Sequence, residues 1–587
     1  MARARSYPHT TAQQVERGWR FTSIDAIVVL AVLAILWLLV TLGGDMRAKF
    51  DELHPPALSL DVWLIPYYTA RTVLRMLIAF AAALLFTFIW GYIAAKNARA
   101  RKVMLPMLDI LQSVPVLGFL SVTVTGFLAL FPGSLLGVEC ASIFAIFTAQ
   151  AWNMTFGFYH SLVTIPTELQ EAARLYRLNG WQRFTTVELP ASAIGLIWNS
   201  MMSFGGGWFF VAQSEAISVL NKSIKLPGLG SYMASAVQAG DKRAALYAIV
   251  AMVCTILIFD QLVWRPLVAW AEKFKVEQTG GKDVPTSWVL DLLQRSFALA
   301  WFSDHVGAAF GRASQRVAVL GSELATHVRS RASVSMKGIV RLAAWALAAA
   351  GIAWLIIHAI AIAREIRTEL TVEQMLEVVW LGALTFARVA AMTVFATLVW
   401  TPIGVWIGLR PRVARVAQPL AQIAASFPVN MTFPFVVAWF IWADVSIDYG
   451  SVLLMALGTQ WYILFNVIAG TMAIPTDLRE AATLFGMRRW ELWKKLIIPA
   501  IFPFWVTGAV TATGGAWNAS IVAEVAEWGK NKLVAKGLGA FIAQVTEKGD
   551  LPAIYFSIVV MSAFVVVINR TLWRRLYDLA ERKFRLE

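Results

Sequence analysis

The sequence of 587 residues is poor in the side chains that most metal centres and many active sites need. It has only two cysteines, Cys140 and Cys254, and six histidines. Two cysteines provide no framework of disulfides, and neither has the spacing of a metal site. The histidines are scattered, at positions such as His9, His54 and His160. We therefore expect neither a bound metal nor a cofactor.

Charged side chains are also scarce, at 15% of the residues, whereas hydrophobic residues make up 58%. A soluble domain is about one quarter charged, so this composition indicates a polytopic membrane protein. The formal net charge is +15, and the basic residues cluster beside apolar runs. That placement fits the positive-inside rule for membrane proteins. We therefore expect a lipid bilayer, and no nucleic acid, as the partner of these charges.

The sequence also lacks a phosphate-binding loop of the type Gly-x4-Gly-Lys-Ser/Thr. Gly281-Lys282 has no upstream glycine at the required distance, and Asp283 follows where the loop needs Ser or Thr. The backbone amides and the hydroxyl that hold a nucleotide's phosphates and Mg²⁺ are thus missing. We expect that the chain is not an ATPase, and that any ATP-driven process needs a separate subunit.

What the sequence does contain is two copies of one unit. Glu171 and Glu480 lie 309 positions apart. The same offset relates Leu175/Leu484, Trp181/Trp490, Pro190/Pro499, Gly228/Gly537, Gly230/Gly539 and Asp241/Asp550. Further upstream the offset is 313, as in Arg75/Arg388. The sustained register indicates a tandem duplication.

The duplication divides the chain into a first repeat at 1–270, a linker at 271–338 and a second repeat at 339–587. The repeat cores lie at 60–270 and 375–575. Linker pieces such as Trp288–Phe302 are amphipathic and too polar to span a bilayer. They predict helices that lie on the inner membrane face, and a disordered tether is the alternative.

Each repeat has six apolar segments of membrane-spanning length. They lie at about 22–43, 66–94, 106–131, 137–163, 191–214 and 243–265, and at about 341–362, 380–408, 414–441, 450–472, 500–523 and 551–572. An even number of spans returns the chain to its starting side, so the repeats are parallel. The basic flanks place both termini in the cytoplasm. We predict an all-α membrane protein with about twelve transmembrane helices in two tandem parallel repeats.

One polar hairpin separates the apolar segments in the middle of each repeat. The first runs from Glu171-Ala172-Ala173 to Pro190 and the second from Glu480-Ala481-Ala482 to Pro499. Each begins with a short helix after Ile-Pro-Thr, and Thr167 with Gln170 has the spacing of a capping box. We expect the first of these helices to start at this capping signal and to run to about Leu178.

These hairpins resemble the EAA loop of ABC importer permeases, which reads Glu-Ala-Ala, three residues, Gly, nine residues, Ile-x-Leu-Pro. The second copy has Gly486 in the glycine position, whereas the first has Arg177 there. The flanking sequence is similar to the nitrate/sulfonate/taurine class of these permeases, in the variant where two permease units are fused. The resemblance implies the type I (MetI-like) importer permease fold.

In that family the EAA segment forms a coupling helix that docks on the nucleotide-binding subunit. The resemblance therefore implies docking roles for Glu171, Ala172, Ala173, Arg177, Pro190, Glu480, Ala481, Ala482, Gly486 and Pro499. It also implies two copies of an ABC ATPase, a periplasmic or lipid-anchored solute-binding protein, and a bacterial inner membrane. The class points to a small anionic solute such as nitrate, a sulfonate, bicarbonate or a carboxylate.

Polar residues within the apolar segments are the second group of candidates, because burying them in lipid is costly. Glu215 and Glu524 are equivalent, and so are Arg75 and Arg388. They are either part of an anion pathway or gate, or ion pairs that hold the helices together. Further candidates for the path are Asn199, Ser203, Gln213, Thr511, Thr513 and Asn518. The glycines at Gly205–Gly207 allow close helix approach or an unwound stretch.

Two other functions remain open from the sequence. An ion-gradient-driven secondary transporter with two parallel six-helix halves predicts transport without ATPase subunits and leaves the paired hairpins unexplained. A membrane enzyme needs a cluster of His, Cys or carboxylates within the membrane, and the sequence shows none.

Overall fold

The computed structural model describes residues 22–49, 58–219, 222–274, 287–302, 305, 334–487, 490–528 and 531–583. Most of the predicted linker and both chain termini lie outside the described residues, so their predicted positions stay predictions. Nearly all described residues are helical, which confirms the all-α fold class.

In the described residues, the first repeat and the part of the linker that follows it contain thirteen α-helices and one β-hairpin. They are α1 (Ser23–Asp45), α2 (Ile65–Lys96), α3 (Ala98–Ser113), α4 (Leu120–Leu130), α5 (Leu136–Val163), α6 (Thr167–Leu175), α7 (Gly180–Arg183), α8 (Leu189–Ser214), β1 (Ala216–Val219), β2 (Lys222–Lys225), α9 (Leu229–Ala239), α10 (Lys242–Phe259), α11 (Arg265–Ala271), α12 (Trp288–Arg295) and α13 (Phe297–Phe302). Asn97 and Asp241 start α3 and α10, because their side chains accept hydrogen bonds from the first free backbone N–H groups.

The second repeat follows the same order. Its elements are α14 (Val334–Glu369), α15 (Val372–Gly408), α16 (Pro411–Ser426), α17 (Phe433–Trp442), α18 (Ile447–Met472), α19 (Thr476–Leu484), α20 (Trp490–Leu492), α21 (Ile498–Ala523), β3 (Val525–Trp528), β4 (Asn531–Val534), α22 (Leu538–Lys548), α23 (Leu551–Ile568) and α24 (Arg574–Lys583). Thr371 and Gln374 form a capping box at the start of α15.

The two β-hairpins were not predicted from the sequence. In the first, β1 pairs antiparallel with β2, and in the second β3 pairs with β4. Each hairpin follows the helix that leaves the EAA segment, α8 or α21, and leads into a short helix, α9 or α22. The hairpins therefore lie at the ends of α8 and α21 farthest from the EAA segments.

The described residues form two compact units. One contains the parts of the chain within Met1–Gly44, Ile165–Ile194 and Gln261–Ala344. Inside it the buried Asp25 carboxylate accepts hydrogen bonds from Ser296 Oγ at 2.9 Å and from the Ala298 backbone N–H at 2.8 Å. These bonds fix the start of α13 to the start of α1.

The other unit contains Asp45–Thr164, Gly195–Asp260 and Trp345–Glu587, and so most of both repeats. Helix α2 packs on α5, and α18 packs on α15 and α21. One large hydrophobic cluster draws on both repeats, since it contains Val138 of the first and Met392 and Trp517 of the second. Smaller clusters lie within a single repeat, such as Ala83, Ala151 and Met154 in the first.

Eight of the described helices are long and apolar enough to cross a membrane, or nine if a bent pair counts as one span. Helices also form at the predicted spans 137–163 and 191–214, as α5 and α8, but they are less apolar than the eight. The reason is visible in α5, where Glu139 and Gln150 are buried within the protein. A helix that faces protein rather than lipid tolerates such side chains.

The third span of each repeat is broken, where the sequence predicts continuous helices at 106–131 and 414–441. Helix α3 ends before Pro115, and in the second repeat the chain bends by 75° between Pro411–Ser426 and Val429–Trp442. A proline lacks a backbone N–H and forces the preceding residue out of the helical region. Val114 and Phe427 are accordingly extended, with ψ of 122° and 129°.

Candidate functional site

The short helices α6 and α19 carry the two EAA segments and have the same form. Each begins after an extended proline, Pro166 or Pro475, without a side-chain cap. The predicted capping box is therefore wrong: Thr167 is the first helical residue, and Gln170 Nε2 donates instead to the Ile165 carbonyl oxygen at 3.0 Å. Pro166 and Pro475 occupy the N-cap positions in an extended conformation, and a proline side chain cannot accept a hydrogen bond from the first turn.

Both helices end in the same two hydrogen bonds, three residues earlier than predicted for α6. The Leu178 N–H donates to the Ala173 carbonyl oxygen at 3.1 Å, and the Arg177 N–H to Arg174 at 3.0 Å. In the second repeat Met487 bonds to Ala482 and Gly486 to Thr483, each at 3.0 Å. This is the Schellman pattern, which requires a left-handed residue. Gly486 takes a φ of 66°, and Arg177 takes a φ of 51° in the equivalent place.

The tips of these helices expose large apolar side chains. Leu175 and Tyr176 are 84% and 79% exposed, and Leu484 and Phe485 are 87% and 80% exposed. Glu171 and Glu480 are exposed on the same short helices, whereas Ala173 and Ala482 are buried beneath them. Sequence reasoning missed the apolar pairs, although their recurrence 309 positions apart, just before the glycine position, was a usable signal.

A π-helical turn connects each EAA segment to the following long helix. It covers Phe184–Glu188 in the first repeat and Trp493–Ile497 in the second, and Pro190 and Pro499 then stand at the second positions of α8 and α21. In the first repeat Arg183 Nε lies 2.7 Å from Glu188 Oε1. The second repeat has Leu492 and Ile497 at these positions, so its turn lacks this ion pair.

The structure brings Arg75 and Glu215 together in a fully buried cluster of charges. Arg75 Nη1 lies 2.7 Å from Glu215 Oε1, and Arg75 Nε lies 2.5 Å from Glu139 Oε2. Arg71 also donates to Glu139. The second Glu215 oxygen accepts the Gly230 backbone N–H at 2.7 Å. Two positive and two negative side chains thus offset one another out of contact with water.

Arg388 and Glu524 form the equivalent cluster in the second repeat. Arg388 Nη1 lies 3.0 Å from Glu524 Oε1, and Arg388 Nη2 lies 2.7 Å from Asp448 Oδ1. Leu384 stands where the first repeat has Arg71, so this cluster has one cation for two carboxylates. The Asp448 side chain is 41% exposed, which lets water solvate the additional negative charge.

Each cluster also explains a conserved spacing of glycines between the two repeats. A Cβ atom on Gly228 would meet the Glu215 carboxylate, and one on Gly537 would meet the Glu524 carboxylate. Thr72 and Thr385 complete the clusters: each hydroxyl donates to the glutamate, at 2.6 and 2.8 Å, and accepts the N–H of Leu229 or Leu538. This arrangement favours ion pairs that hold the helices together, and a role of Arg75 and Arg388 in the solute path stays a prediction.

Two of the other predicted path residues lie where the repeats meet. Asn430 Nδ2 donates to Gln213 Oε1 at 3.1 Å, and Asn518 Oδ1 accepts the Val116 backbone N–H at 2.7 Å. Both contacts join a long helix of one repeat to the break in the third span of the other. We call this region the seam.

The remaining candidates do not reach across the seam. Ser203 accepts from Asn153 of its own repeat at 3.0 Å, and Thr513 bonds to Thr393 at 3.3 Å. Asn199 donates to the carbonyl oxygen of Gly195 at 2.8 Å, and Thr511 to that of Thr507 at 2.9 Å. Helix α8 stays helical through Gly205–Gly207, so these glycines serve close approach and no unwound stretch.

Two parts of the sequence match one family model, described as the binding-protein-dependent transport system inner membrane component. The matches cover residues 87–263 and 401–586, together more than half of the chain. The chain belongs to this family. The permease is thus a fused duplication of the family's domain.

Several characterised permeases are similar to this one over about 190 residues. They include a nitrate import permease of Leptolyngbya laminosa (23% identity, 32% of this chain and 64% of the relative). A bicarbonate transport permease of Synechococcus elongatus is 25% identical over 32% of this chain and 66% of its own length. A taurine transport permease of Escherichia coli is 24% identical, over 33% and 68%. The chain therefore matches about two thirds of the length of these relatives.

Proposed function

We propose that this permease forms both transmembrane halves of an ATP-driven importer for a small anionic solute. Two copies of an ATPase subunit dock on the cytoplasmic side, one on the tip of α6 and one on the tip of α19. A solute-binding protein delivers the solute from the opposite side of the inner membrane, and both chain termini face the cytoplasm.

The observation that carries this proposal is the paired exposure of Leu175–Tyr176 and Leu484–Phe485. Large apolar side chains at the tip of a rigid short helix are typical anchors of a protein interface, since they bury much area at little cost in conformational entropy. The exposed glutamates beside them supply a polar rim for a basic partner surface. Two equal copies of this surface fit two copies of one partner.

The anionic solute is inferred from the relatives. A nitrate, a bicarbonate and a taurine permease are similar to this chain to about the same degree. Their solutes share a small size and an anionic oxygen-bearing group. We therefore propose a solute of this class and name no single compound.

The docking proposal is tested by replacing Tyr176 and Phe485 with alanine and measuring how much ATPase co-purifies with the permease. Loss of a central aromatic anchor commonly costs more than about 2 kcal/mol, so we expect the double variant to retain little ATPase. The matched control is Tyr449→Ala. Tyr449 is also 80% exposed, but it lies near the start of α18, at the end farthest from α19. Full ATPase retention in the double variant would contradict the proposal.

Transport itself is tested in proteoliposomes with the ATPase and the binding protein present. Nitrate, bicarbonate and taurine are tried as solutes, and we expect uptake of at least one of this class that requires ATP and is lost in the double variant. Uptake driven by an ion gradient, with the permease as the sole protein, would instead support a secondary transporter.

A further inference from the structure

A pocket of about 380 Å³ lies between the repeats, at the ends of α8 and α21 farthest from the EAA segments. Its walls come from the two β-hairpins, from α9 and α22, and from the breaks in the third spans. This volume is enough for a small organic anion. The pocket is therefore placed and sized to receive a solute on the side opposite the ATPase.

On the pocket wall formed by the second repeat, a lysine pairs with two carboxylates of the same wall. Lys532 Nζ lies 3.0 Å from Glu527 Oε1 and 2.9 Å from Glu547 Oε2. Burial acts to lower the pKa of Lys532, but the hydrogen bonds to Glu547 and Glu527 outweigh it and raise that pKa above its usual value. This wall carries two carboxylates for one ammonium group.

The first-repeat wall has a cation with neutral partners. Lys225 Nζ donates to Ser235 Oγ at 3.0 Å and to Gln238 Oε1 at 2.6 Å, and among the described residues no carboxylate pairs with it. Gln238 stands 309 positions before Glu547, so the duplication has an amide where the second repeat has an acid. Burial lowers the pKa of the Lys225 ammonium group, because desolvation disfavours its charged form. A bound anion would supply the missing countercharge.

Asn430 and Gln213 also line this pocket. Asn430 Nδ2 donates to Gln213 Oε1 across the seam, but Asn430 Oδ1 is buried without a hydrogen-bond partner in the described residues. Turning both amides over keeps the bond between them and leaves the Asn430 NH₂ group as the unpaired one. In that orientation the pair presents a donor, which suits an anionic oxygen.

We propose that this pocket is a binding site for a small oxyanion, whose charged group pairs with Lys225 Nζ and accepts a hydrogen bond from the Asn430–Gln213 pair. The site takes a nitrate-like, carboxylate or sulfonate group. The proposal deepens the function proposed above and rests on it for the direction in which the solute passes.

The first test needs neither ATPase nor binding protein. The purified permease in nanodiscs is treated with a neutral amine-reactive ester, and labelling of Lys225 and Lys532 is followed by mass spectrometry with nitrate, bicarbonate or methanesulfonate present, none of which carries an amine. We expect at least one of these probes to slow labelling of Lys225 by about fivefold or more, while Lys532 in the same sample changes little. No protection of Lys225 by any of them, or equal protection of both lysines, would overturn the proposal.

The second test gives Lys225 an internal partner. Gln238→Glu recreates the acid that the second repeat carries, and Lys225→Gln removes the cation. We expect Gln238→Glu to abolish the protection of Lys225 seen in the first test, and both variants to raise the KM for uptake about tenfold, as expected for the loss of a charge-assisted contact. The matched control is Gln544→Glu, which adds the same charge to the opposite wall. An equal effect of Gln544→Glu would mean that only the overall charge of the pocket matters.

The two tests separate this proposal from the proposed function. Protection of Lys225 without ATP-driven uptake in the unmodified permease would refute the importer and leave the anion site standing. ATP-driven uptake with unprotected Lys225, and with unchanged KM in both variants, would refute the site and leave the importer standing.

Discussion

Arg177 occupies the left-handed position at the end of α6, where the second repeat has a glycine at the end of α19. The Schellman end of α19 uses Gly486 with a φ of 66°, while α6 makes the same two hydrogen bonds with an arginine at a φ of 51°. A side chain with a Cβ atom loses about 1–2 kcal/mol in the left-handed region, and glycine does not. The turn after α6 is therefore formed against a conformational cost that the turn after α19 avoids.

We expect Arg177→Gly to stabilise the turn after α6 by about 1 kcal/mol, and Gly486→Ala to destabilise the turn after α19 by a similar amount. Hydrogen exchange of the Leu178 and Met487 amides measures both turns, because each amide donates one of the Schellman bonds. In each variant the turn of the other repeat serves as the internal reference. Unchanged exchange of Leu178 in Arg177→Gly would show that the arginine is not strained.

The contacts of single residues were the hardest feature to predict from the sequence. The equivalent pairs Gly228/Gly537 and Arg75/Arg388 were visible as a repeated register, but their contacts were not. The reason is that Glu139 and Asp448, which bind these arginines, lie 64 and 60 residues away along the chain. The capping box failed for a local reason, since Pro166 is the N-cap residue and Thr167 is already the first residue of the helix.

At the scale of elements, the buried charge clusters tie together helices that are distant in sequence. In the first repeat the cluster joins α2, the start of α5, the end of α8 and the start of α9 through Arg75, Glu139, Glu215 and Gly230. A buried carboxylate that loses its cation is strongly destabilising, whereas removing both charges together costs far less. Comparing a variant that lacks one charge with a variant that lacks both therefore distinguishes a structural role from a role in the solute path.

We expect Arg75→Met to destabilise the permease by about 3–5 kcal/mol, and Glu215→Gln added to it to recover most of that loss. The measurements are the yield of monodisperse permease and its ATP-driven uptake. If Arg75 only holds helices together, the double variant regains both. Regained assembly without uptake would place Arg75 in the path after all. Arg388→Met with Glu524→Gln gives the parallel comparison in the second repeat.

Element boundaries could be predicted from the sequence wherever the apolar segments are uniform. The span predicted at 450–472 is helical from Ile447, and that at 551–572 from Leu551. The breaks at Pro115 and Pro428 were missed because apolar residues continue on both sides of each proline. The β-hairpins were missed because each strand is only four residues long, too short for a clear alternating pattern.

At the scale of the whole molecule, short elements of each repeat contact short elements of the other repeat. Helix α9 of the first repeat contacts β3 of the second, and α22 of the second contacts β1 of the first. The seam is closely packed at Gly205, where an added Cβ atom would lie 2.7 Å from Ser426 Oγ, whereas Gly514 has nothing within 4 Å. The sequence revealed the repeats but not this asymmetry, since contacts between the repeats have no signature within either of them.

The seam hydrogen bonds lead to a prediction about transport. If the repeats tilt relative to each other during import, contacts such as Gln213–Asn430 must open in each cycle. A short bis-methanethiosulfonate crosslinker between Gln213→Cys and Asn430→Cys, with Cys140 and Cys254 replaced by serine, should therefore reduce uptake by more than about tenfold and leave ATPase docking intact. The matched control joins Thr507→Cys and Tyr577→Cys, which contact each other within the second repeat. Because that link does not cross the seam, we expect it to leave uptake largely unchanged. Equal uptake by the two linked forms would mean that the seam stays closed during transport.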